Sequence, residues 1–135
     1  MSAAFEEMLA FVLAQFDAPV ERDEADGAVL VTSGEPGEVI VRLTTLDITV
    51  AEYSLEWRGE HAASVEPIVI GSVIWSAISA DAAMRVVKGL IGAAREARLS
   101  TFRVCVICER NTPPEWMASD DVCQECAEEE HEVVH

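Results

Sequence analysis

The alternation of apolar and polar positions divides the chain into recognisable elements. Phe5, Met8, Leu9, Val12, Leu13 and Phe16 recur at the spacing of one helical face, so an amphipathic helix is expected at the start, capped by Ser2. "DAPVERDEADG" is expected to end it as an acidic turn. "AVLVTS" and "EVIVRLTT" flank "GEPG" and predict two strands joined by a short loop of turn residues. "LDITVAEYSLEW" alternates through Ile48 and Val50 and resumes out of phase at Tyr53, Leu55 and Trp57, which predicts a bulge near Ala51 and Glu52. After a "GEHAAS" loop, "VEPIVIGSVIW" predicts a fourth, largely apolar strand with Pro67 near its start. From Ser79 to about Leu99 the helical period returns through Ala83, Val87, Leu90, Ile91, Ala94 and Ala97. Arg85, Lys88, Arg95 and Arg98 fall off that stripe and read as a solvated face.

The order α-β-β-β-β-α predicts an α+β body over residues 1–100: an antiparallel four-stranded sheet covered on one face by two helices. Beyond Thr101 the composition changes, and residues 101–135 hold all four cysteines and two of the three histidines. A second, small module is expected there.

Its spacing is Cys105-x2-Cys108, fourteen residues, then Cys123-x2-Cys126. A two-residue gap lets both sulfurs of a pair point at one ion from a tight knuckle. Two such pairs supply the tetrahedral four-sulfur cage that Zn(II) prefers, so one structural zinc per chain is expected on Cys105, Cys108, Cys123 and Cys126. A thioredoxin-type dithiol uses a single CxxC at a helix start, in a context missing here. Spacing alone also admits iron, although rubredoxin-like knuckles usually carry Gly after the second cysteine, where Glu109 and Ala127 stand.

The residues around the pairs add architecture. "STFRVCVIC" is strand-prone and feeds the first knuckle, "TPPEWM" makes a turn, and "CQECAEEEHEVVH" is rich in helix formers. A knuckle, a hairpin and a helix bearing the second pair form the treble-clef order. The segment resembles the GATA-type zinc finger, with Trp116 eight residues beyond Cys108 after a Thr-Pro step. The likeness covers about a quarter of the chain and implies architecture only. Where those fingers carry basic residues, this sequence has Met117, Ala118, Ser119 and Asp120, and later Glu128, Glu129 and Glu130.

Charge decides what such a module can touch. Residues 101–135 carry Arg103 and Arg110 against nine acids, a formal −7, within a chain of net −16. Phosphate backbones need cations, so nucleic acid is disfavoured and a protein partner of basic character is expected. No run of residues is apolar enough to span a membrane, and the N-terminus lacks the basic region of a secretion signal. Close cysteine pairs then point to a metal-binding protein of the reducing cytoplasm. With one sheet face uncovered, self-association into a homodimer is a further expectation.

The rival is an enzyme. "HEVVH" matches H-E-x-x-H, in which His131 and His135 would share a helix face as metal ligands with Glu132 as the base. A third ligand would have to come from upstream, His61 or an acid, and a chain end frays. Residues 1–100 offer no nucleophile-base grouping and no phosphate loop. The reading drawn from the residues is therefore a non-enzymatic zinc protein acting as adaptor, chaperone or inhibitor, with a metallohydrolase or a dithiol redox protein as the alternative.

Overall fold

The computed structural model describes residues 2–57 and 63–133, with the side chains of Trp57 and of residues 130–133 outside that description. The chain divides into two compact units, Met1–Arg98 and Leu99–His135. The class is α+β, with an antiparallel sheet.

Helix α1 (Ala3–Ala14) starts where Ser2 Oγ accepts from the Phe5 amide at 3.2 Å, and it buries Phe5, Met8, Leu9 and Val12. Among the described residues, seven strands follow: β1 (Val20–Ala25), β2 (Ala28–Ser33), β3 (Val39–Leu43), β4 (Ile48–Glu52), β5 (Leu55–Trp57), β6 (Ala63–Val65) and β7 (Ile68–Val73). The main sheet has five strands in the order β1-β2-β3-β4-β7, all antiparallel, and β5 and β6 form a hairpin of their own.

Five strands rather than four is a correction, and β1 accounts for it. The segment expected to be an acidic turn contains a strand whose residues are all exposed, so burial imposes no apolar alternation on it. Asp26 (φ 53) and Gly27 (φ 76) form the two-residue link to β2, with both residues at positive φ as a type I′ hairpin requires. Glu21, Arg22, Asp23 and Glu24 then line a sheet edge, where charge deters pairing with other chains.

The expected bulge lies at the anticipated place but on the other strand. Val50 pairs with Gly71 and Ala51 with Val69, so the extra residue is Ile70 of β7. The change of phase along "LDITVAEYSLEW" has a second cause: the chain leaves β4 at Tyr53 and Ser54 and enters β5 in another sheet.

Helix α2 (Ala80–Ser100) closes the layer. Val29, Val31, Val39, Val41, Leu43, Ile48 and Val50 on one sheet face form a single core with α1 and with Ala83, Val87, Ile91 and Ala94 of α2. Arg98 extends that buried stripe by one further turn, against the expectation of a solvated position. Only 2% of it is exposed, its Nε donates to the Gly37 carbonyl at 2.8 Å, and its guanidinium sits 5.2 Å from the centre of the Tyr53 ring. Arg95 pairs with Glu38 at 3.3 Å, leaving Arg85 and Lys88 as exposed cations of this helix. Among the described residues, no helix is long and apolar enough to cross a membrane.

Candidate metal centre

In the second unit β8 (Arg103–Val104) pairs with β9 (Asn111–Thr112), and the turn between them carries the first cysteine pair. The Cys105 amide donates to the Arg110 carbonyl at 3.0 Å, and the Glu109 amide returns to the Cys105 carbonyl at 2.8 Å. Closing so tight a loop places Glu109 at φ 62, the left-handed region that L-residues enter at a cost. This is the position at which the sequence lacks the glycine of rubredoxin-like knuckles.

Pro113 and a short 3-10 turn, Pro114–Trp116, lead into a loop in which Met117 bridges to Cys123. Helix α3 (Gln124–Val133) begins directly after Cys123. The Cys123 sulfur acts as its cap, accepting from the Cys126 amide at 3.5 Å, and Cys126 lies in the first turn. One pair thus rides on a hairpin and the other on a helix start, the order expected from the sequence.

The four sulfurs lie within 4.8 Å of one another. Cys108 Sγ and Cys123 Sγ are 3.9 Å apart, and none of the four cysteines is in a disulfide. A tetrahedral Zn–S4 site with bonds of about 2.3 Å has sulfur–sulfur edges of about 3.8 Å, so the cage has the dimensions of such an ion. Cys105, Cys123 and Cys126 are buried and form the unit's core, with Cys108, Met117 and Val122 packed against them. A module this small closes around its ligands instead of around aliphatic side chains.

The surroundings favour sulfur in its charged, ligating form. The amides of Ile107 and Cys123 each lie 3.4 Å from Cys105 Sγ. Backbone donation from Cys108, then from Cys123, lowers the Cys105 pKa to about 6 against the opposing effect of burial. Arg110 does the same for Cys108: its Nε donates to that sulfur at 3.4 Å, and the Cys108 pKa falls mainly for that reason. Arg110 also holds Glu125 at 2.6 Å, linking the knuckle to the first turn of α3. Contact with Cys108 and then Glu125 raises the arginine's own pKa. Cys126 shifts the other way, pushed up by its hydrogen bond with the Cys123 sulfur and by burial. Binding an ion there would therefore displace the Cys126 proton.

Cys105, Cys108, Cys123 and Cys126, all read from the sequence, converge on one centre. In the sequence Arg110 is legible only as a charge; its contact with Cys108 emerges from the closed knuckle. Trp116 is 53% exposed, so the aromatic of the GATA-like step is not a core residue here. Both CxxC pairs share a single cage, unlike the lone pair of a dithiol reductase. For "HEVVH", the backbone of His131 and Glu132 continues α3, but their side chains, and all of His135, lie outside the described residues, as does His61. Comparison of the chain with protein-family models, with curated proteins and with solved structures found no match in any of the three.

Proposed function

We propose that the protein is a non-enzymatic zinc-binding protein, in which one Zn(II) held by Cys105, Cys108, Cys123 and Cys126 staples the C-terminal unit and the acidic surface of that unit engages a protein partner. The observation that carries this reading is the convergence of four sulfurs within 4.8 Å, three of them buried. Four thiolates saturate a tetrahedral ion and leave no vertex for water, so such a site contributes folding energy and performs no hydrolysis. Soft sulfur donors select zinc over magnesium or calcium. Four unpaired thiols this close together suit a reducing compartment such as the cytoplasm.

Charge supports the second half of the proposal. The C-terminal residues 101–135 total −7 before loading, and four thiolates with one Zn(II) bring the formal sum to about −9. A surface of that sign attracts basic proteins and repels nucleic acid. An adaptor, a chaperone or an inhibitor of a nucleic-acid enzyme fits the class.

Two measurements test the reading. Metal analysis of purified protein should find one zinc per chain of 14.7 kDa, and Cys105→Ser should lose the metal and the fold of residues 101–135 together. Iron in that assay, or zinc retained by the variant, would contradict the assignment. A pull-down from lysate should capture a basic protein at low salt and release it at high salt, whereas salt-insensitive capture counts against an electrostatic partner.

A further inference from the structure

The metal-binding unit has an apolar surface that its own fold leaves unused. Its core is sulfur, with Met117 and Val122 beside it, while the three aliphatics of "RVCVIC" point outward: Val104, Val106 and Ile107 are 58%, 64% and 45% exposed. Burying aliphatic side chains is the usual source of stability for a small module. Here the knuckle turns three of them to solvent because its backbone is committed elsewhere. The Ile107 amide is directed at Cys105 Sγ at 3.4 Å, the Val106 amide donates to the Asp121 carbonyl at 2.8 Å, and Cys105 is locked to Arg110. These side chains are thus presented on a backbone that has little ordering left to lose, a condition that favours affinity.

Their rim is acidic. Glu109 follows the knuckle directly and is exposed, and Asp121 is fixed beside Val106 by the backbone hydrogen bond, with exposed Asp120 next to it. Arg110 is engaged by Glu125 and Cys108, and Arg103 flanks the far end of the patch. Apolar centres with polar, charge-bearing rims are the anatomy of protein docking sites.

We infer that the knuckle Val104–Ile107, rimmed by Glu109, Asp120 and Asp121, is the docking surface of this protein, and that its occupant is a basic amphipathic segment of a partner protein. The inference rests on the adaptor reading above and specifies where that reading operates. The partner's aliphatics cover Val104, Val106 and Ile107 while its lysines or arginines meet the three carboxylates, so apolar contact supplies residence and charge supplies encounter rate.

The test uses the full zinc-loaded chain, isotope-labelled, with zinc content measured in every sample. The probe is a synthetic amphipathic helix of leucine and lysine, and its control keeps the lysines and replaces each leucine by serine. The leucine peptide should shift the amides of residues 104–109 and 120–121, and the serine peptide should not. Val106→Ser with Ile107→Ser should weaken binding about tenfold or more with zinc retained. Glu109→Gln with Asp121→Asn should weaken it too and flatten its salt dependence, independently of any effect of the serines on folding. The inference fails if both peptides act alike, if the shifts fall elsewhere, or if the serine variant binds normally. It fails as well if the same amides shift with protein concentration alone, which would assign the patch to a second copy. Wild type without zinc overturns the adaptor reading as well as the docking site; wild type with zinc and no peptide shifts overturns the docking site alone.

Discussion

Glu109 stands at φ 62, and replacing it with glycine should strengthen the metal unit. An L-residue in the left-handed region pays roughly 1–2 kcal/mol. Glycine avoids that cost but carries more unfolded-state entropy, worth roughly 0.5–1 kcal/mol. The balance for Glu109→Gly is a gain of about 0.5–1 kcal/mol. Because folding and metal binding are one equilibrium in a unit with a sulfur core, the gain should appear as zinc affinity about two- to fivefold higher in chelator competition. Glu109→Ala separates charge from conformation, since it removes the carboxylate and keeps the Cβ. If strain is the cause, alanine should leave zinc affinity close to that of wild type and only glycine should raise it. Equal effects of the two substitutions would trace the change to the carboxylate, and a weaker site in the glycine variant would refute the strained knuckle.

The other predictions concern the sulfurs and the buried arginine. Arg110→Leu removes the donor to Cys108 and the link to Glu125; supporting contacts of this kind change metal affinity by about 10-fold or more, and Arg110→Lys should restore part of the loss in the same competition assay. The Cys105 pKa is depressed from 9.0 to about 6, so the folded cage favours its thiolate. That contribution is complete above pH 9.0, declines as pH falls, and is gone below about pH 6; resistance of the unit to chelator should decline across that window, and resistance that rises on acidification would contradict the assignment. Arg98→Ala leaves the Gly37 carbonyl without the donor 2.8 Å away and opens space beside Tyr53. It should destabilise the N-terminal unit by about 2–4 kcal/mol in denaturant unfolding with zinc content unchanged.

What the sequence disclosed and what it hid divide along a physical line. α1 was legible because its burial is one-sided: Phe5, Met8, Leu9 and Val12 must all face the core, and that demand writes a period into the sequence. β1 has no such demand, since every residue of it is exposed, and its existence depends on pairing with β2 across Asp26 and Gly27. A hydrogen-bonded edge constrains backbone and not side chains, so only the turn dipeptide could betray it. Arg98 was hidden for a different reason: it lies one turn beyond Ala94 on the buried stripe, yet the sequence groups it with Arg85, Lys88 and Arg95 on the solvated face. The cysteines show the strongest form of legibility. Coordination chemistry fixes residue type and local spacing together, so two CxxC pairs announce a shared centre although fourteen residues separate them. The groups that tune those sulfurs, the amides of Ile107 and Cys123 and the guanidinium of Arg110, belong to no spacing rule. An amide exists at nearly every position, and only the closed knuckle decides which of them meet sulfur. The same closure decides that Val104, Val106 and Ile107 face outward, although their apolar character in the sequence points to the interior.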